Sequence, residues 1–159
     1  MERKVRKTHT YETAVHWMAD SREGTKSYRG YSRDHAIGVG AKPKILASSD
    51  PAFRGNDSRY NPEELLVASL SSCHMLWYLH LCSSNGVCVI EYRDVAAGSM
   101  EDDDEGLASF VSVRLRPVVT IAAGDRDRAL ELHEEAHRLC FIARSVNFPV
   151  TVDARIDHA

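Results

Sequence analysis

The chain lacks what would place it in several large classes of protein. Its 20 Lys+Arg against 23 Asp+Glu leave a formal net charge of -3, with no basic excess to draw it to nucleic acid. The basic start, Arg3, Lys4, Arg6 and Lys7, reads as a solvated terminus rather than a binding arm. No stretch has the basic, apolar and small-residue regions of a signal peptide, so the expected compartment is the cytoplasm. Four cysteines in an unsecreted chain do not make a disulfide framework; they read as reactive or buried thiols. The acidic run Glu101 to Gly106 lacks the alternating ligands and terminal Glu of an EF-hand. No linker, clear repeat or low-complexity segment interrupts the chain. The expectation is one domain over residues 1–159, with the 43% hydrophobic and 27% charged content of a globular protein.

What the sequence does have is one long predicted helix over residues 61 to 86. Asn61 suits the N-cap, Pro62 the first helical position, and Glu64 can reach back to the cap. Gly86 is a natural left-handed stop. Between them, Leu65, Leu66, Ala68, Leu70, Cys73, Leu76, Trp77, Leu79 and Leu81 leave little polar face, which predicts a helix buried in the middle of a domain. The polar ends and the serines argue against a membrane span.

Around this helix the pattern predicts strands over residues 8–18, 28–39 and 44–47, then an irregular loop, 48–60, leading into the helix. Strands over 87–99 and 107–122 follow, joined by the acidic hairpin connection. A second helix runs from Gly124-Asp125 to about Phe141, and a strand over 148–157 closes the chain. The order implies an α+β fold with antiparallel sheets.

Cys73 lies well past the first turn of the long helix, where the helix dipole does little for a thiolate. A reactive Cys73 would need a cation from elsewhere, and the upstream candidates are Arg29, Arg33, Arg54 and Arg59. Glu63, in the first helical turn, is placed to hold one of them in bidentate geometry. The plain alternative is that Cys73, like Cys82 and Cys88, is a small core residue. Cys140 ends the second helix, one of few places where a buried thiol could meet Cys73, and a sulfenic acid on one cysteine condenses readily with a nearby thiol.

The string Asn61-Pro62-Glu63-Glu64-Leu65-Leu66, with Cys73 ten residues beyond Glu63, resembles the central-helix motif of the OsmC/Ohr family of thiol peroxidases. Cys140, on a helix just before a terminal strand, matches that family's second cysteine. The resemblance implies an intertwined homodimer in which antiparallel sheets wrap long central helices. It implies reduction of organic hydroperoxides without a cofactor or metal, with Cys73 as peroxidatic thiolate and Cys140 as resolving thiol. Glu63 would orient the activating arginine, Arg54 in the OsmC manner, or Arg33 or Arg29 in the Ohr manner. A dithiol, a lipoyl protein among the candidates, would restore the thiols. No nucleic-acid or membrane partner is implied. The chain departs from the family pattern where Phe141, not Pro, follows Cys140 and where His74 follows Cys73; the stretch from Cys140 to Pro149 resembles a less-studied OsmC-like branch.

Two other readings stand beside this one. A redox sensor or small-ligand carrier could use the same fold without turnover. His133-Glu134-Glu135-Ala136-His137 literally matches the zinc-protease pattern, with Glu134 as base. A hydrolase would need a third ligand and an open site. Ala129, Leu132, Ala136 and Leu139 are expected to form the buried stripe, with both histidines at its flank, solvated or hydrogen-bonded.

Overall fold

The computed structural model describes residues 7–159, so Arg3, Lys4 and Arg6 of the basic start lie outside the described residues. The chain divides into two compact units, Met1–Glu64 and Leu65–Ala159.

The first unit holds a three-stranded antiparallel sheet of β1 (Ala14–Trp17), β2 (His35–Gly38) and β3 (Ile45–Ala47) in that order. The first two strands are far shorter than expected, because among the described residues, 8–13 and 28–34 find no ladder partner. A single 3-10 turn, Pro51–Phe53, is capped by the Asp50 carboxylate, which accepts from the Ala52 amide at 2.7 Å. The chain then pairs Tyr60 with Ala47 and enters the long helix α1 (Pro62–Ser84). The expected capping box is present. The Glu64 amide donates to Asn61 Oδ1 at 2.8 Å, and the Asn61 amide donates to Glu64 Oε2 at 3.1 Å.

In the second unit α1 runs on to Ser84 and stops at Gly86, whose φ of +72° is a conformation that a side chain would strain. Six strands follow: β4 (Cys88–Asp94), β5 (Ala97–Asp102), β6 (Ala108–Leu115), β7 (Pro117–Ala123), β8 (Val150–Val152) and β9 (Arg155–His158). They form two sheets, β4-β7-β9 and β5-β6-β8. Each of the three long strands expected from sequence is therefore cut in two, and the halves serve different sheets. The cut in the middle one falls at Arg116-Pro117. Pro117 has no amide to give a ladder, and the Arg116 amide turns aside to Asp94 Oδ1 at 2.7 Å. The all-antiparallel expectation also needs correction. β4·β7 and β5·β6 are antiparallel, but β6·β8 and β7·β9 are parallel, because helix α2 (Arg126–Leu139) and the segment after it provide the crossover that parallel strands require.

α1 reaches both halves of the core. Its Leu70 packs with Val113 and Leu115 of β6, and Phe110, Phe148 and Val150 close over them. Two turns on, Tyr78 and Cys82 pack with Val119 and Ile121 of β7, Ile156 of β9, and Ala129, Leu132 and Ala136 of α2. Burying each large apolar side chain in this way contributes about 1.5–3 kcal/mol. Gly98 of β5 permits close approach to the helix: a Cβ there would lie 2.8 Å from Val67 and 2.6 Å from Phe110. Only Leu70, His74, Tyr78 and Cys82 of α1 are buried, one residue per turn along one stripe. The helix is thus less enclosed than its apolar sequence implies, and Leu76 remains 63% exposed. By length and composition α1 could cross a membrane, yet its buried stripe is packed into the two sheets of this fold.

Candidate functional site

Cys73 faces Cys140 in the second unit. Cys73 sits in the middle of α1, half-buried, and Cys140 is the buried C-cap of α2. α2 begins at Asp125, whose carboxylate accepts from the Arg128 amide at 2.7 Å. It ends where the Cys140 amide bonds back to Ala136 and His137. Both cysteines are free thiols, and Cys73 lies near enough to Cys140 to act on its titration. Burial pushes the Cys140 thiol up to about 11, and the Cys73 sulfur adds to that rise against opposing amide contacts from Ala143 and Ile142. The Ala143 amide lies 3.5 Å from Cys140 Sγ. At neutral pH Cys140 is therefore a protonated thiol and a poor first nucleophile.

Beside the thiol pair opens a cavity of about 330 Å³ lined by Cys73, Leu76, Trp77, His80 and Phe141. Trp77 forms edge-to-face contacts with Phe141 at 5.3 Å and with His80 at 5.8 Å. Its walls are apolar apart from the Cys73 sulfur and His80. Sequence reasoning had singled out Phe141 only as a departure from the family's pattern, and missed Leu76, Trp77 and His80. The spacing 73, 76, 77, 80 is a helical stripe that could have been read as the wall of a site.

Immediately behind the pair is a second feature that sequence reasoning missed. His74, fully buried, and His133, 3% exposed, join α1 to α2 by a hydrogen bond of 3.0 Å between His74 Nε2 and His133 Nδ1. The two rings lie nearly parallel, and His133 also stacks on Tyr78 at 3.8 Å. Desolvation holds both histidines neutral. His74 is lowered to about 4, with His137 adding to the effect and Asp94 opposing it; His133 is lowered to about 3, with His74 adding. This corrects the placement of His133 at the flank of α2, since it shares the buried face with Ala129, Leu132 and Ala136, whereas Leu139 is 37% exposed. With its Nδ1 bonded to His74, His133 is turned into the core. Among the described residues no group of three or more His, Cys, Asp or Glu is arranged to hold a metal ion. The remaining cysteines differ from each other: Cys82 is buried as expected, but Cys88 is exposed.

Arg33, Arg54 and Glu63 belong to the first unit. The Arg33 guanidinium lies over the Tyr31 ring at 3.8 Å and the Tyr28 ring at 4.8 Å, and donates to the backbone carbonyls of both tyrosines. Arg59 pairs with Asp34 at 3.1 Å. Arg29 is exposed. Arg54, also exposed, closes the 3-10 turn in a left-handed conformation with φ of 65°. Glu63 Oε2 is buried and has no hydrogen-bond partner among the described residues, so a cation at that oxygen would satisfy it.

An α+β fold carrying two neighbouring free thiols, one of them lining an apolar cavity, defines a small thiol protein of a particular architecture. The family model described as OsmC-like protein matches residues 55–155, and the chain belongs to that family. An OsmC-like protein of unknown function from Vibrio cholerae is 30% identical, with a TM-score of 0.84 over 92% of this chain and 99% of that one. The fold is shared with an organic hydroperoxide resistance protein from Legionella pneumophila at 15% identity and TM-score 0.63, covering 94% and 99% of the two chains. It is shared also with the organic hydroperoxide resistance protein OhrB of Bacillus subtilis at 17% identity and TM-score 0.61, covering 94% and 98%. Curated protein sequences give no match.

Proposed function

We propose that the protein is a cytoplasmic thiol peroxidase that reduces organic hydroperoxides with Cys73 and Cys140. The observation that carries this reading is a pair of neighbouring free thiols, of which Cys73 lines an apolar cavity. The Cys73 thiolate attacks the distal oxygen of the hydroperoxide. The O–O bond breaks, an alkoxide leaves and takes up a proton as the alcohol, and Cys73 becomes a sulfenic acid. The Cys140 thiol then attacks the Cys73 sulfur. An S–S bond forms, and the hydroxyl leaves as water with the Cys140 proton. An external dithiol, such as a lipoyl group, reduces the disulfide and is itself oxidised to a disulfide.

The high-lying Cys140 thiol suits this order of events, since it holds its proton until it attacks. Glu63 is the residue to orient an activating arginine. Arg54 is the better donor, because Arg33 already gives its guanidinium to two carbonyls and two aromatic rings of its own loop. The active form is a homodimer, with a second copy covering the open side of α1.

One equivalent of cumene hydroperoxide should convert the reduced protein to a species two hydrogens lighter, with the disulfide mapped by peptide mass to Cys73 and Cys140. Turnover should continue with excess peroxide and a dithiol, which a sensor would not support. A product joining Cys82 to Cys88, or none, would refute the two-thiol mechanism.

A further inference from the structure

The histidine pair behind the thiols has no part in that chemistry, yet it lies in the helix-to-helix contact on which the chemistry depends. His74 is the next residue to Cys73 on α1. His133 precedes Cys140 by seven residues, two turns of α2, so the two sit on the same side of that helix. Successive residues of a helix project about 100° apart, and α1 therefore turns Cys73 toward Cys140 and His74 toward His133. Among the described residues the His74–His133 bond is the one side-chain hydrogen bond that is fully buried. It uses only half of what the rings offer. His74 Nδ1 and His133 Nε2 have no partner among the described residues, so one ring keeps an N–H and the other a lone pair that those residues do not meet, whichever tautomers are present. Two apolar side chains of similar size would fill the space without leaving polar atoms unmet. What an apolar pair would not supply is a direction: a hydrogen bond fixes the rotation of one helix against the other, where packing tolerates slippage.

We propose that His74 and His133 are positioning residues for the thiol pair, a neutral imidazole clamp that sets α2 on α1 so that Cys140 meets Cys73. The inference rests on the two-thiol reading of the site. The clamp restricts the rotation of α2 in the dithiol state to orientations from which the disulfide closes, and so raises the effective concentration of one thiol at the other. His133 carries a second role in the same place, stacking on Tyr78, and the two roles separate by substitution. His133→Phe keeps an aromatic ring against Tyr78 and removes the hydrogen-bonding atom. His133→Asn gives up the stack but retains a polar atom where Nδ1 stood. His74→Gln does the same for Nε2.

The test is the equilibrium of the protein with glutathione buffers, followed by thiol trapping and peptide mapping, without peroxide. Each Cys73/Cys140 dithiol exchanges with one oxidised glutathione to give the disulfide and two reduced glutathiones, and the constant is the effective concentration of the pair. His133→Phe should lower that constant about tenfold, the size of effect expected for one buried hydrogen bond. His133→Asn should return it to within about threefold of wild type, although the loss of the stack leaves it the less stable of the two to urea. His74→Gln should behave as His133→Asn does. A defect in folding alone would weaken the oxidised and reduced forms together and leave the constant where it was. A His133→Phe protein with the wild-type constant would overturn the clamp and leave the peroxidase reading intact. A constant that follows the stack, lower in His133→Asn than in His133→Phe, would overturn it also. A wild-type protein that forms no Cys73–Cys140 disulfide in any buffer would overturn the two-thiol reading, and the clamp with it.

Discussion

Moving from pH 7.5 to pH 5 should cost the fold about 4 kcal/mol through His74 and His133 alone, on the linkage between proton uptake and unfolding. Both are held neutral by burial, at about 4 and about 3, and both rise to the ordinary value of about 6.5 in the unfolded chain. Between those limits the unfolded state binds the protons and the folded state refuses them, so stability rises with pH. The contribution is whole above about pH 6.5 and is lost progressively as the pH falls toward 4. Each histidine gives a slope of up to about 1.4 kcal/mol per pH unit, which amounts to about 2 kcal/mol apiece at pH 5. His137 and Asp94 act on His74 in opposite senses, and neither reverses the sign. Domains of this kind hold about 5–15 kcal/mol in all, so the loss is a large share. Urea unfolding followed by tryptophan fluorescence at pH 7.5, 6.0 and 5.0, at one protein concentration, measures it. Wild type should lose close to two protons' worth of slope, and His133→Phe about half of that. A slope in wild type below one proton, or one unchanged in His133→Phe, would show that the pair is solvated, and the account of its burial would be wrong.

Asn61→Ala removes the Oδ1 acceptor of the Glu64 amide at the start of α1, while the backbone amide at position 61 can still donate to Glu64 Oε2, and it should lower stability by about 1 kcal/mol, read as a shift of the urea midpoint at constant m. Light scattering at micromolar concentration should give the mass of two chains; a stable monomer would mean that the open side of α1, with Leu76 63% exposed, needs no second copy to cover it.

What sequence could and could not show divides along the range of the forces involved. The ends of α1 were legible because caps are local. Asn61, Glu64 and Gly86 act within one turn of themselves, and all three behave as their chemistry requires. A pairing of Cys73 with Cys140 could be expected from sequence only through resemblance, since nothing in the spacing of 67 residues between them fixes a contact. Strand lengths were misread for a related reason. Alternation shows which face a residue could offer, but whether it joins a ladder depends on a partner. Residues 28–34 were expected to belong to the second strand, and among the described residues they join no ladder, while Arg116-Pro117 divides what pattern alone makes continuous.

His74 is the instructive case. Read from sequence it is an anomaly, a polar residue after the first cysteine of an apolar helix. His133 reads as half of a zinc motif. Each invites the wrong explanation while considered on its own helix. One signal was present all the same. Leu70, His74, Tyr78 and Cys82 recur every fourth residue, and a histidine on that stripe must face the core with the others. A core histidine needs a partner, and the one i, i+4 candidate on the same stripe, Tyr78, does not bond to it through its hydroxyl. The partner therefore has to come from another element, and the helix ending in Cys140 carries two histidines, only one of them in phase with the buried Ala129, Leu132 and Ala136. That phase selects His133 over His137. The His133 ring of the zinc-like motif is committed by its Nδ1 to a neutral partner inside the core and is not presented on an open face beside His137.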